Sequence, residues 1–114
     1  MPHFIIHCSE SIIGSKPPND LMQQVYKAAG STGLFTKGDI KVRIQPFAYY
    51  NTGETQDDFI HIFGNIMEGR TMDQKKDLSN KIVSTLKIEF PDVPIISMNI
   101  RDFEKASYVN KSMV

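Results

Sequence analysis

A chain of 114 residues with 13 basic and 13 acidic side chains has no net formal charge, so no single-signed field draws it to nucleic acid or to an anionic membrane. That length supports one domain, residues 1–114, with a modest core. The lone cysteine, Cys8, excludes an internal disulfide, and no apolar run approaches the ~20 residues that cross a bilayer; with no signal-like start, the chain reads as soluble and cytoplasmic.

The chain opens Met1-Pro2. Removal of Met1, usual when a small residue follows it, leaves a free proline, a secondary amine that accepts a proton. His3 to Cys8 is rich in aromatic and β-branched residues and predicts a strand, so the amine is expected on a rigid element. A positioned amine is a candidate general base or nucleophile. Ser9 to Pro18, with Gly14 and Pro17-Pro18, reads as a loop. From about Asn19, the spacing of Leu21, Met22, Val25, Tyr26 and Ala29 predicts a helix with one apolar stripe, stopped by Gly30 and Gly33.

Ile40 to Tyr50 predicts a second strand. Ile40, Val42 and Ile44 face one way and Lys41, Arg43 and Gln45 the other, with Pro46 marking an irregular or unpaired section. Asn51-Thr52-Gly53-Glu54 supplies a turn. Asp57 to Met67 returns as a third strand, apolar on both faces: Phe59 and Phe63 with His61 on one, Ile60 and Ile62 on the other. Thr71 and Gln74 form a capping box for a second helix, whose buried stripe is Leu78, Ile82, Val83, Leu86 and Phe90. Pro91 and Pro94 end it, Pro94 to Phe103 is the fourth strand, and Glu104 to Val114 is a polar tail.

This order predicts an α/β (α+β) domain of two β-α-β units, each about fifty residues, forming a four-stranded mixed sheet with two helices on one face. The third strand is apolar on both sides, so the bare face needs a cover. Another subunit is the economical choice.

Apolar surroundings and cationic neighbours both lower the pKa of an amine and so suit it to act as a base. Phe4, Phe35, Phe47, Tyr49 and Tyr50 are candidates for the first, Arg43 and Arg70 for the second. Arg70 stands directly before a helix start, where a guanidinium and free N–H groups can hold a carboxylate together. His3 and His7 lie four residues apart, ~13 Å along a strand, too far to share one metal ion. They read as ordinary strand residues, His61 has no evident partner, and the glycines form no phosphate-binding fingerprint. Cys8 reads as a small apolar filler.

The start Met1-Pro2-His3-Phe4-Ile5-Ile6-His7-Cys8-Ser9, with Gly38-Asp39-Ile40-Lys41-Val42-Arg43, resembles the tautomerase superfamily, and most nearly its 5-carboxymethyl-2-hydroxymuconate isomerases. Thr32-Gly33-Leu34-Phe35, Glu68-Gly69-Arg70-Thr71 and Tyr108-Val109-Asn110-Lys111 resemble further landmarks of that family. The resemblance implies a homotrimer without a cofactor that moves a proton within an unsaturated 2-hydroxy or 2-keto acid. It assigns Pro2 as the catalytic base and acid, and places Arg43, Arg70, Lys41 and Phe35 on the substrate side. Where close relatives carry Arg-x-Arg, this chain has Lys41-Val42-Arg43, which keeps the charge but loses one bidentate fork. Dehalogenation or decarboxylation by the same proline, or a non-catalytic signalling role on this fold, are the alternatives.

Overall fold

A computed structural model describes all 114 residues. The chain runs β1 (His3–Ser9), α1 (Glu10–Ser15), α2 (Pro18–Gly30), β2 (Lys41–Phe47), β3 (Phe59–Met67), α3 (Met72–Glu89) and β4 (Ile95–Phe103), with single-turn 3₁₀ helices before β2 and in the tail. The strands form one four-stranded sheet in the order β2-β1-β3-β4. β1 is parallel to β2, β3 is parallel to β4, and the antiparallel β1–β3 pair joins the two β-α-β units.

Alternation along the strands sorts the side chains onto two faces. Phe4, Ile6 and Cys8 of β1 and Ile60, Ile62 and Ile66 of β3 are wholly buried on the helical side. α2 meets them with Leu21, Val25, Ala28 and Ala29, and α3 with Leu78, Ile82 and Leu86. Gly64 sits on this side because its neighbours leave no room. A Cβ there would lie 2.8 Å from Met98 Cε and 2.9 Å from Ile100 Cδ1.

The helix starts follow their residues. Pro18 occupies the first turn of α2, where its missing N–H costs nothing. Thr71 caps α3: its Oγ1 accepts from the Gln74 amide at 3.2 Å, and Gln74 Oε1 accepts from the Thr71 amide at 2.9 Å. Pro46 pairs with Cys8 and stays within β2, which tolerates it as an edge strand.

One expectation is corrected. Ser9 to Pro18 is not all loop, because Glu10–Ser15 closes a short helix. Ile12, only 3 % exposed, anchors that turn in the core, and this burial outweighs Gly14. No helix is long and apolar enough to cross a membrane.

Ile62 lies in an inner strand and is fully buried. Ile62→Ala should lower the unfolding free energy by about 2–5 kcal/mol. An unshifted urea midpoint would contradict this packing.

Candidate active site

The site is built at one end of the sheet by the register of β1. His3 lies opposite both Lys41, the first residue of β2, and Asn65, near the end of β3. The start of the chain, the start of β2 and the connection after β3 therefore converge. The Lys41 amide donates to the Pro2 carbonyl at 3.1 Å, and the Pro2 side chain is fully buried. Pro2 is thus fastened to the head of an inner strand.

The Glu68-Gly69-Arg70 connection reaches the same end. Gly69 has φ of 116°, a conformation that a residue with a side chain rarely adopts, and it turns the chain into Arg70 and the Thr71 cap. Arg70 Nη1 donates to the Met67 carbonyl at 3.2 Å and Nη2 to the Leu34 carbonyl at 2.9 Å. Its guanidinium lies 5.1 Å from the centre of the Phe35 ring. Phe35 in turn meets Phe4 edge-on, with centroids 6.0 Å apart. A half-buried cation is thereby seated on an aromatic ring that is itself anchored in the core.

Lys41 completes the group. Its ammonium donates to the Asp39 carbonyl at 2.7 Å and lies 3.5 Å from Met1 Sδ. The chain-terminal amine on Met1 titrates below its ordinary value of 8.0, chiefly through burial. Asp39 opposes that shift, and the charges of Lys41 and Arg70 add to it.

Arg43 is placed differently. Its side chain lies on the face away from the helices, with Nη1 3.2 Å from His3 Nδ1. A guanidinium only donates, so His3 accepts through Nδ1 and carries its proton on Nε2. Burial, then Arg43, Lys41 and the chain amine, hold the His3 pKa below 6.5.

Three aromatic residues expected around the amine are elsewhere. Phe47 pairs with Ser9 at the far end of β1, Tyr50 packs on Phe59 at 5.2 Å, and Tyr49 is 94 % exposed. Local pattern names them aromatic, but strand register decides which end they occupy. His61 also departs from expectation: its ring nitrogens lie 2.6 Å from Ser97 Oγ and 2.6 Å from Asn99 Oδ1, both on β4.

Sequence reasoning did not bring out a hollow of about 270 Å³ lined by His3, Phe103, Glu104, Ser107 and Tyr108 at the same end of the sheet. The Phe103 and Tyr108 rings stack there at 5.3 Å. The one signal toward it was the Tyr108 segment within the family-like landmarks.

A family model for 5-carboxymethyl-2-hydroxymuconate isomerase matches residues 2–113. The 5-carboxymethyl-2-hydroxymuconate Delta-isomerase of Escherichia coli is 25% identical over 92 residues, covering 79% of this chain and 73% of the relative. Among solved structures, a 5-carboxymethyl-2-hydroxymuconate isomerase from Deinococcus radiodurans R1 superposes with a TM-score of 0.81 at 22% identity, over 96% of this chain and 88% of that one. A fused 4-OT wild-type symmetric trimer gives 0.81 at 14% identity, over 98% and 94%.

Cys8 lies on β1 but faces the core, and burial pushes its thiol up to about 11. A disulfide reagent at about pH 8 should leave the native chain nearly unlabelled and modify the unfolded chain promptly. Fast labelling of native protein would contradict the filler role.

Proposed function

The chain belongs to the 5-carboxymethyl-2-hydroxymuconate isomerase family and is an isomerase; on that premise we propose that it moves a proton within an unsaturated 2-hydroxy or 2-keto dicarboxylic acid, with Pro2 as base and acid once Met1 is removed. The observation that carries this reading is the setting of the chain start. Pro2 is buried at the head of β1, and the Met1 amine one residue before it is held below its ordinary value by burial first and by Lys41 and Arg70 against Asp39; the same setting would favour an unprotonated Pro2 nitrogen once Met1 is gone.

In the proposed reaction the Pro2 nitrogen removes a proton from a substrate carbon or enol oxygen. Electron density moves through the conjugated system onto a carbonyl or carboxylate oxygen. Arg70, held by Leu34, Met67 and Phe35, and Lys41 across from it stabilise that charge without having to reorganise. The proline ammonium then returns the same proton at another carbon, so atoms and charge balance without a cofactor. Phe35 keeps the site apolar. Of the two basic residues of β2, Lys41 is the one beside the chain start, and Arg43, on the same face, lies two residues further along and leans on His3.

We further propose a cytoplasmic homotrimer assembled through the face of the sheet that the helices leave bare. Four half-buried phenylalanines lie there, Phe47, Phe59, Phe63 and Phe103, an aromatic face that a further copy could cover.

The mature protein is expected to have a mass lacking Met1. With a 2-hydroxymuconate-type dicarboxylate followed by ultraviolet absorbance, Pro2→Ala, which keeps only a primary amine, should lower kcat by about tenfold to a hundredfold. Unchanged turnover would remove the base assignment.

Arg70→Ala should act mainly on KM for a dicarboxylate, and Lys41→Ala should cost more than Arg43→Ala. The rising limb of kcat/KM against pH should lie below the ordinary value of a free amino-terminal proline. Lys41→Gln or Arg70→Gln should move it upward, since losing a nearby cation raises the amine's pKa. A limb that stays in place in both variants would break the electrostatic part of the proposal.

A further inference from the structure

All three histidines of the chain, His3, His7 and His61, lie on the open face of the sheet. The charged strand residues beside them are Lys41 and Arg43 on β2 and Arg101 on β4, all cations. Asp102 is the one carboxylate within the four strands, and it turns to the helical side to pair with Lys75 at 2.9 Å. Glu104 approaches only the rim, in the hollow beside His3. The centre of the open face thus has basic groups and no acid.

His7 and His61 occupy that centre as a directly opposed cross-strand pair. His7 lies between Phe47 on β2 and Phe63 on β3, with centroids at 4.9 and 5.0 Å. From β2 nothing titratable faces it; from β3 it meets His61, and from β4 Arg101. Arg101 lies 4.2 Å over Phe63 and donates through Nε to Asn65 Oδ1 at 3.0 Å. His61 meets His7 from β1, and Ser97 and Asn99 from β4 use both of its ring nitrogens.

We propose that this face binds further copies of the chain only while His7, at its centre, is neutral, so that the assembly comes apart in mild acid. This rests on the trimer reading above and adds its regulation. Covering the face strips water from the His7 imidazole, and a proton on it would then sit beside His61 and Arg101 with no strand carboxylate to balance it.

The sign follows from linkage. His7 already titrates below 6.5 in the single chain, through burial first, then His61 and Arg101. Covering lowers it further, so the assembly binds fewer protons than its separated copies. Association is therefore at full strength well above pH 6.5 and weakens as pH falls below that value. The dissociation constant should rise about tenfold per pH unit for each His7 imidazole that must lose its proton on assembly.

Sedimentation of the mature chain at micromolar concentration, from about pH 8 to about pH 5 with circular dichroism alongside, tests this across the range where histidine titrates. The expected result is a trimer at the high end that dissociates below pH 6.5 with its helical signal intact, while H7F/H61Q stays assembled throughout. A monomer at the high end overturns the trimer reading and the inference with it. A wild-type trimer that persists at the low end, or a double variant that dissociates with the wild-type profile, overturns the inference and leaves the trimer standing. Should the double variant not fold, imidazole proton resonances of the wild type decide. Their midpoints must fall as protein concentration rises, and concentration-independent midpoints overturn the proposal.

Discussion

The hydrogen bond from the Lys41 amide to the Pro2 carbonyl, 3.1 Å long, fastens the first residues of the chain into the sheet. A chain terminus normally frays, because nothing offsets the entropy of ordering it. Here the first strand is inserted between β2 and β3 rather than laid on an edge, so both of its sides are bonded. Phe4 and Ile6 are fully buried beneath the helices, and the residues before them inherit that rigidity. A nitrogen at the start of such a strand has a defined position, which proton transfer to and from carbon requires.

The same insertion decides what surrounds that nitrogen. A strand that is parallel to one neighbour and antiparallel to the other brings the beginning of β2 and the end of β3 to its own beginning. Lys41 arrives by the first route and Arg70 by the second. Gly69 makes the bend that the second route needs, and the Thr71 cap fixes the helix that follows. Arg70 is then tied to Leu34, in the loop before β2, so both β-α-β units contribute to one cation's seat.

Much of this was legible in the sequence. Period-two alternation named the faces of β2 and β3, and the capping box placed the start of α3 within a residue, because both signals are local. What local pattern does not carry is register. Phe47, Tyr49 and Tyr50 are as aromatic as Phe35, yet only the pairing of Ser9 with Phe47 reveals that they belong to the far end of the sheet. The partners of His61 are on β4, more than thirty residues away, and no spacing rule reaches them. α1 was hidden for a related reason: Gly14 and the prolines argue for a loop, and only the core site that Ile12 fills argues otherwise.

Lys41 and Arg43 show how far alternation can mislead on its own. Both point to the same face, so parity treats them alike, and the arginine with its planar fork is the more obvious anion binder. Position along the strand separates them. Lys41 sits opposite His3 and Arg43 opposite Ile5, two residues or ~7 Å further from the chain start. The guanidinium leans back onto His3 Nδ1 and holds that imidazole as an acceptor. A lysine in the nearer position gives up bidentate geometry, but in the proposed reaction its flexible stem would let the charge follow a substrate oxygen as electron density shifts. Arg70 is pinned by two carbonyls and a ring, so the proposed site would pair one rigid charge with one adjustable charge.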